Sequence, residues 1–246
     1  MAARTLPPRL DIMTSHTISI HIMTTPRELQ RGHKGPAMEG VIASWYAKNT
    51  KGEARAMRET AERIAAELRP GARVLEVAPG PGYMTVELAK LGLKVSALDI
   101  SHAFVGMTKA NAAAAGFDVD ARQGNASQNP FADASFDYVV CRAAFKNFAD
   151  PLGAINEMHR VLVPGGQASI LDLRKESSPG EVRAEVDRMQ LSALNALMTR
   201  ATFRFFLLKN AYTKEDLERM AAESRFGACT VHNRGIEFDA RFVKRG

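Results

Sequence analysis

Cysteine is scarce in this chain: only Cys141 and Cys229 occur among its 246 residues. The two lie far apart, and neither belongs to a Cys-x-x-Cys pair, so the sequence gives no sign of a disulfide framework or a zinc site. We therefore expect no bound metal. Such sparing use of cysteine is typical of proteins from a reducing compartment, and it predicts a cytoplasmic location.

Long apolar runs are missing as well. No stretch approaches the roughly 18 uninterrupted apolar residues that a membrane span needs. The most apolar region, residues 191–208, is interrupted by Asn195, Arg200 and Arg204. This pattern favours a helix that caps a globular domain over a helix that crosses a membrane.

A basic stripe is not evident either, although the formal charge of the chain is +6. Residues 1–60 carry nine Lys and Arg against five Asp and Glu, and residues 225–246 carry five against two, which leaves the middle of the chain nearly neutral. Nucleic-acid binding needs positive charge collected on one folded face. Because the excess lies in the two ends, we expect no nucleic-acid partner.

The length and the 46% hydrophobic content suit one globular domain with appendages. Residues 1–23 match neither a secretory signal nor a transit peptide, and we expect a disordered extension or an upstream start codon ahead of Met23; the alternative is a segment that covers a site or pairs with a partner chain. Residues 24–56 are predicted to form an N-terminal lid segment. The main domain is then 57–246, with a cap insert over 175–212.

Helix and strand patterns alternate along the main domain, as they do around a parallel α/β sheet. The predicted elements are a helix over 57–68, then strand 74–77, helix 84–91, strand 95–98, helix 103–115, strand 118–123, strand 136–141, helix 151–162 and strand 167–173. Beyond them the pattern predicts one long helix over 181–200, a helix after Thr213, and strands near 228–233 and 236–242. The predicted fold class is α/β, with a Rossmann-like doubly wound sheet.

The most informative stretch is Arg73–Ala89, where a short apolar strand enters a Gly/Pro turn and continues as an amphipathic helix; the next strand ends in the carboxylate of Asp99. Glycines let a ligand lie against the backbone, and an acid can bind ribose hydroxyls. The Gly-x-Gly-x-x-Gly pattern of nicotinamide cofactors matches poorly, because Thr85 stands at its third glycine. The turn instead reads Glu76-x-Ala-x-Gly-x-Gly82, and carboxylates suit a cofactor that bears cations and lacks phosphate.

Five ordered motifs resemble the class I S-adenosylmethionine-dependent methyltransferases, and especially the small-molecule branch that includes the ubiquinone and menaquinone biosynthesis-type enzymes. The resemblance covers about residues 40–175. The motifs are the turn at 76–82, the acid Asp99, Gln123-Gly-Asn-Ala126, the segment 130–141, and Glu157–Gly166. This resemblance implies a seven-stranded sheet that is mostly parallel with one antiparallel strand.

The resemblance also implies which residues bind S-adenosylmethionine. Asp99 is expected to bind the ribose hydroxyls, with Ile100 beside the adenine. Asn125 replaces an acid of the family, and its amide oxygen is expected to accept a hydrogen bond from the adenine amino group. Arg142 is expected to hold the cofactor's carboxylate or the lid. The predicted binding residues are Tyr46, Glu76, Ala78, Gly80, Gly82, Tyr83, Asp99, Ile100, Asn125, Ala126, Cys141 and Arg142.

Methyl transfer from a sulfonium is an in-line displacement, which depends on alignment and on exclusion of water. The lid candidates are residues 31–52 and the cap insert. The fourth strand ends in Cys141-Arg-Ala-Ala-Phe-Lys-Asn-Phe148, where many relatives have a His-His-Phe type segment, so the obvious histidine base is missing. The catalytic candidates are Tyr46, Lys146 and His33. Lys146 either neutralises or orients the substrate, or is an ordinary solvated loop lysine.

We therefore predict an enzyme that transfers a methyl group from S-adenosylmethionine to O, N, S or C of a small molecule, as a monomer or homodimer. The aromatic patch at Phe203, Phe205 and Phe206 suits an apolar, ring-containing acceptor or ordinary core packing. The alternatives are a nicotinamide-dependent reductase, a non-catalytic S-adenosylmethionine-binding protein, and an RNA or protein methyltransferase.

Overall fold

A computed structural model of the chain describes residues 32–34, 38–50, 53–189, 193–203 and 207–246. The predicted extension 1–23 lies outside them, as do parts of the predicted lid segment. The helices are α1 Gly40–Thr50, α2 Ala54–Ala66, α3 Tyr83–Lys90, α4 His102–Ala114, α5 Pro151–Val161, α6 Pro179–Arg188, α7 Ala193–Thr202 and α8 Lys214–Glu223. The strands are β1 Arg73–Val77, β2 Lys94–Asp99, β3 Asp120–Gln123, β4 Phe136–Arg142, β5 Leu162–Leu173, β6 Thr230–Arg234 and β7 Glu237–Val243.

The strands form a seven-stranded sheet in the order β3-β2-β1-β4-β5-β7-β6. Strands β1 to β5 run parallel to one another, whereas β7 pairs antiparallel with both β5 and β6. This confirms the predicted doubly wound sheet with one antiparallel strand. The chain reverses its direction of winding between β1 and β4, and ligands of such sheets bind at the carboxyl ends of the strands at that point.

Apolar side chains cover both faces of the sheet, because successive residues of a strand point to opposite sides. In β4, Tyr138 and Val140 pack with Ile64 of α2 and Leu88 of α3. Between them, Val139 packs on the other face, with the side chains of α5 and α8. Burial on both faces explains why the central strands read as continuous apolar runs.

The structure differs from the sequence-based expectation in the region of the cap insert. The predicted single helix over 181–200 is divided into α6, which ends at Arg188, and α7, which begins at Ala193. Phe203, after α7, is thereby buried in the same cluster as Val182 and Val186 of α6. A continuous helix would separate Val182 from Phe203 by about 30 Å, so packing of both against the sheet edge requires the break.

A second difference concerns Pro164-Gly165-Gly166, which lies between the predicted helix over 151–162 and the predicted strand over 167–173. β5 already begins at Leu162, because the backbone N–H of Gly165 donates to the carbonyl of Lys244 (2.8 Å) and that of Lys244 donates to Gly166 (2.9 Å). The C-terminal strand thus draws these residues into the sheet. None of the helices in the described part of the chain is long and apolar enough to cross a membrane.

Candidate active site

The turn between β1 and α3 lies at the carboxyl edge of the sheet and is held in a left-handed conformation. The φ angles of Ala78, Gly80 and Gly82 are 57°, 59° and 78°. Glycine adopts such angles freely, whereas alanine does so at a cost of about 1–2 kcal/mol. A Cβ added to Gly82 would lie 2.7 Å from the Thr108 side chain of α4, and the Thr108 hydroxyl donates to the Gly80 carbonyl (3.0 Å). Close packing of α4 therefore requires glycine at position 82.

Two buried carboxylates flank this turn. Glu76 near the end of β1 is 3% exposed and Asp99 at the end of β2 is 5% exposed. Asp99 accepts hydrogen bonds from the backbone N–H groups of Gly80 (3.1 Å) and Ser101 (2.9 Å), and Glu76 accepts one from the Thr85 hydroxyl. Burial raises the pKa of each carboxyl to about 7. A cationic ligand between these two carboxyl groups would favour the ionised form of each.

Asn125 lies beside Asp99, because β2 and β3 are neighbours. The Gly124 N–H donates to the Asp99 carbonyl (2.9 Å), and the Gln123 side chain donates to the carbonyl of Ile100 (3.1 Å). The Asn125 Oδ1 accepts hydrogen bonds from both the backbone N–H and the hydroxyl of Ser127, each at 3.0 Å. Both acceptor positions of Oδ1 are used within the protein in this arrangement, and the expected contact of Asn125 with an adenine amino group stays a prediction. Ala126 begins the 3-10 turn that Asn125 caps.

A segment from the N-terminal side crosses over these groups. We call residues 32–34, 38–39 and α1 the N-terminal cover. At the β4 side, the Lys34 N–H donates to the Asn147 carbonyl (2.7 Å), and His33 forms an antiparallel bridge with Phe148. Gly32 lies so close to Asn125 that an added Cβ would be 2.7 Å from the amide carbon. His33, a predicted catalytic candidate, thus lies in the backbone pairing that closes this side.

The N-terminal cover is attached to the β2 side as well. The Ser101 hydroxyl donates to the Met38 carbonyl (2.6 Å). The Glu39 carboxylate accepts hydrogen bonds from the backbone N–H groups of His102 (2.8 Å) and Ala103 (3.1 Å), at the N-terminus of α4. An anion is stabilised at that end of a helix by the unpaired N–H groups and the helix dipole. The cover therefore bridges the two sides of the cleft above Asp99.

Helix α1 places Tyr46 against the glycine turn. A Cβ on Gly80 would lie 3.6 Å from the Tyr46 ring. The same ring packs edge-to-face against Phe104, with 5.7 Å between the ring centroids. The Tyr83 hydroxyl donates to the Ala47 carbonyl (3.1 Å) and anchors the same helix. Burial, reinforced by the nearby Glu53 carboxylate, raises the pKa of Tyr46. The structure thus brings the predicted residues Tyr46, Gly80 and Tyr83 together.

The Arg142 side chain, at the end of β4, is 12% exposed and forms an ion pair next to the start of α2. Its guanidinium donates to the Glu53 carboxylate (3.0 Å), and the Glu237 carboxylate lies 3.9 Å away on its other side. Burial is also the largest influence on Glu237, whose pKa it raises. Arg142 therefore binds the predicted lid segment at Glu53.

Lys146 and Cys141 differ from their expected settings. Lys146 is 6% exposed, and its ammonium donates to Asp172 Oδ1 (2.8 Å) and to the Ala143 carbonyl (2.8 Å). It is therefore not a solvated loop lysine, and its contact with a substrate stays a prediction. Cys141 is fully buried in the core, and burial raises the pKa of its thiol well above the usual value. Its side chain does not line the cleft, so only a backbone contact with a cofactor stays a prediction.

Several groups in the site were not predicted from the sequence. Asp172 is the penultimate residue of β5 and Asp99 is the last residue of β2, so an acid near the end of an apolar strand was the available signal. Thr85 was noted only as a mismatch to the nicotinamide pattern. Nothing local marks Glu39 or Glu237, whose partners lie far away along the chain. Within the described residues, no three or more His, Cys, Asp or Glu side chains are grouped so as to hold a metal ion.

The aromatic patch of the cap is described only in part. Phe203 is buried with Leu173 and Ile236 in a small cluster at the sheet edge. It therefore serves core packing, which was one of the two expectations for the patch. Phe205 and Phe206 lie outside the described residues.

Known protein families that resemble this chain are methyltransferases. Residues 75–170 match the family described as "Methyltransferase domain". A demethylmenaquinone methyltransferase of Deinococcus radiodurans is 35% identical over 108 residues, which are 43% of this chain and 45% of that protein. One from Renibacterium salmoninarum is 36% identical over 133 residues, 54% of each chain. The chain thus matches about half the length of these curated relatives.

Solved structures share the fold. A proposed S-adenosyl-L-methionine-dependent methyltransferase from Methanococcus maripaludis superposes with a TM-score of 0.71 at 21% identity, covering 87% of this chain and 96% of that one. A SAM-dependent methyltransferase from Aquifex aeolicus has a TM-score of 0.57 at 18% identity, covering 75% and 89%. At these identities the similarity establishes the architecture alone.

Proposed function

We propose that this chain, whose residues 75–170 match the family described as "Methyltransferase domain", is a class I S-adenosylmethionine-dependent enzyme that transfers a methyl group to a small-molecule acceptor. The observation that carries the proposal is the pair of buried carboxylates, Glu76 and Asp99, on either side of the left-handed turn. A ligand with a ribose and positive charge would compensate both of them.

The residues around the turn fit this cofactor better than a dinucleotide. No Lys or Arg occurs between Glu76 and Ala89, so the turn offers no cationic side chain to a pyrophosphate. Glu76 is buried and would interact favourably with an ammonium or sulfonium group. Asp99 is positioned by Gly80 and Ser101 to accept hydrogen bonds from ribose hydroxyls. When bound, S-adenosylmethionine supplies an electrophilic methyl group on a cationic sulfur.

The N-terminal cover is proposed to exclude water during transfer. It spans the cleft from Asn147 to the N-terminus of α4, and Tyr46 lies against Gly80 at the turn. A dry site favours a displacement in which charge is lost in the transition state. Tyr46 is proposed to contact the methyl-bearing end of the cofactor. His33 is proposed to orient the cover through its bridge with Phe148.

The acceptor is proposed to approach from the Arg142 side. A cavity of about 610 Å³ lies between α2 and the β6–β7 hairpin and is lined by Thr60, Arg63, Arg142, Arg234 and Glu237 among others. This volume falls in the range of small-molecule sites. Its charged walls favour an acceptor with polar groups. The names of the menaquinone-type relatives suggest a ring-bearing acceptor, which agrees with the predicted apolar or aromatic substrate.

Cofactor binding is the direct test. Titration calorimetry of the full chain with S-adenosylhomocysteine and with NADPH should show binding of the first and not the second. Asp99→Asn should weaken S-adenosylhomocysteine binding by about 10-fold or more, because charge-assisted hydrogen bonds to the ribose are lost. Asp118→Asn, which changes an exposed acid, is the control and should bind like the wild type.

Other outcomes would support the alternatives. Binding of NADPH alone would favour the reductase. Tight binding of S-adenosylmethionine without transfer of labelled methyl to a panel of small phenols, amines and thiols would favour a non-catalytic binding protein. Strongly salt-dependent affinity for RNA would favour a nucleic-acid substrate.

A further inference from the structure

The cavity of about 610 Å³ beside Arg142 extends across the sheet to two further arginines, Arg63 of α2 and Arg234 of β6, which also line it. Arg142 pairs with Leu171 of β5, and Leu171 pairs with Asp239 of β7, so these three residues form one row across three strands. Neighbouring strands are spaced by about 4.8 Å, which separates the two ends of the row by about 10 Å. The cavity therefore suits an elongated molecule.

One end of this row lies beside the glycine turn. Glu76 of β1 pairs with Val140 of β4, two residues before Arg142, so the Glu76 and Arg142 side chains project from the same face of the sheet. Burial raises the pKa of Glu76, and the Thr85 hydroxyl and the nearby Arg142 guanidinium oppose this rise. The reacting end of an acceptor would therefore lie at the Arg142 end of the cavity. This inference rests on the proposed function, because it concerns the acceptor of the same site.

At the other end of the row, arginines outnumber acids. Arg241 of β7 donates to the Asp239 carboxylate (3.2 Å) and from Nη1 to both Glu67 oxygens (2.8 Å each). Nitrogens of Arg63 and Arg234 lie 4.0 Å and 3.8 Å from Asp239 Oδ2, which is beyond hydrogen-bond distance. In this cluster three guanidinium groups thus face two carboxylates, a surplus of one positive charge.

The surplus charge lies where an anion could reach it. Burial lowers the pKa of Arg63, and the positive charge of Arg234 lowers it further, so an anion between the two side chains would relieve their repulsion. The three acids that line the same cavity are positioned differently, two of them exposed on α2 and one 3.9 Å from the Arg142 guanidinium: Glu59, Glu62 and Glu237. The Arg63 end of the cavity is therefore its anion-binding end.

We propose that Arg63 and Arg234 bind a carboxylate of the methyl acceptor, so that the substrate is an elongated small acid whose nucleophile lies at the Arg142 end of the cavity. Guanidinium groups bind carboxylates through charge-assisted hydrogen bonds, often in pairs. The surplus of one positive charge matches a carboxylate, whereas a phosphate monoester carries about 1.5–2 negative charges. The two arginines are thus specificity-determining residues for the acceptor.

The test compares three phenols of similar length by titration calorimetry on the full chain saturated with S-adenosylhomocysteine. They are para-hydroxyphenylpropanoate, its neutral amide, and para-hydroxyphenylethyl phosphate. The wild type should bind the acid at least about 10-fold more tightly than the amide, and the phosphate no more tightly than the acid. Arg63→Gln and Arg234→Gln should each reduce the preference for the acid about 5-fold. Arg58→Gln, which removes the same charge from an exposed position of α2, is the control and should keep the wild-type preference.

The outcomes separate this inference from the proposed function. Equal binding of acid and amide by the wild type overturns the inference alone, as does a preference that is unchanged in both cavity variants. Tighter binding of the phosphate overturns the assignment to a carboxylate. If S-adenosylhomocysteine itself does not bind the wild type, the proposed function fails and the inference fails with it. Thermal unfolding checks each variant; should one cavity variant not fold, the other variant and the wild-type preference still decide.

Discussion

Glu76 and Asp99 are the two buried carboxylates beside the glycine turn, and each accepts hydrogen bonds from nearby groups. Glu76 accepts from Thr85, and Asp99 from Gly80 and Ser101. Burying a carboxyl group in this way disfavours its ionised form unless a cation is near. The two buried carboxyl groups therefore lower the free energy of unfolding at neutral pH.

Because ionising a buried carboxyl group is unfavourable, the free energy of unfolding depends on pH in a predictable direction. Burial raises the pKa of Glu76 from 4.5 to about 7, so the folded state binds this proton more tightly than the unfolded state. The resulting stabilisation is complete below the unfolded pKa and is lost as the pH rises through about 7. Glu76→Gln removes the titration and can still accept from Thr85. Relative to the wild type, it should gain about 1–3 kcal/mol in unfolding free energy between acidic pH and about pH 8.

Urea unfolding of the wild type and Glu76→Gln across this pH range provides the measurement. Glu62→Gln, which changes an exposed acid of α2, is the matched control and should follow the wild-type curve. Parallel curves for wild type and Glu76→Gln would show that the Glu76 carboxyl is not destabilised by burial.

At the scale of the elements, the N-terminal cover is joined to the sheet at both sides of the cleft. Its β4-side attachment is backbone pairing around His33, whereas its β2-side attachment depends on Glu39 at the N-terminus of α4. We expect that a ligand bound between the cover and Asp99 leaves when one of these attachments opens. The Glu39 carboxylate is therefore expected to control the release of a bound cofactor.

Glu39→Gln should speed the dissociation of S-adenosylhomocysteine by about 2–5-fold, because an anion at a helix N-terminus contributes about 0.3–1 kcal/mol. Stopped-flow displacement measures this rate. Glu215→Gln is the matched control, since Glu215 is also an acid in the first turn of a helix, here α8. An equal acceleration in both variants, or none in Glu39→Gln, would contradict a role of the cover in release.

Most elements were predictable from the sequence because their signals are local. The bounds of β1, β2, β4 and α5 lie within one residue of those expected from apolar periodicity and turn residues. The division between α6 and α7 was not predictable, since the helical pattern continues through it. It depends on Phe203 packing beside Val182, a contact between residues about twenty positions apart.

At the scale of the whole molecule, one core joins the part that matches the methyltransferase family to the C-terminal strands outside it. Leu75 of β1 and Ile155 of α5 share a cluster with Leu217 of α8 and Phe242 of β7. β7 also pairs with β5 over residues 167–173. The domain that contains the glycine turn therefore depends on the C-terminal strands for its stability.

Phe242→Ala should consequently lower the unfolding free energy by about 3–5 kcal/mol, as expected for a fully buried aromatic side chain. The neighbouring Val243 is 51% exposed, and Val243→Ala should change it by less than about 0.5 kcal/mol. Urea unfolding of the two variants compares them directly. Similar small losses in both would show that the C-terminal strand adds little to the core.

The sequence by itself determined the order of strands and helices, the left-handed glycine turn and the acids at the ends of β1 and β2, because each is encoded within a few consecutive residues. Only the tertiary structure decided that Lys146 is neutralised by Asp172, that the Asn125 oxygen is used by Ser127 beneath Gly32, and that Glu39 closes the cleft. Side-chain pairing and cover contacts of this kind depend on distances between elements, which periodicity does not specify. The cofactor class could therefore be predicted from local pattern, whereas the hydrogen-bond partners of these side chains required the fold.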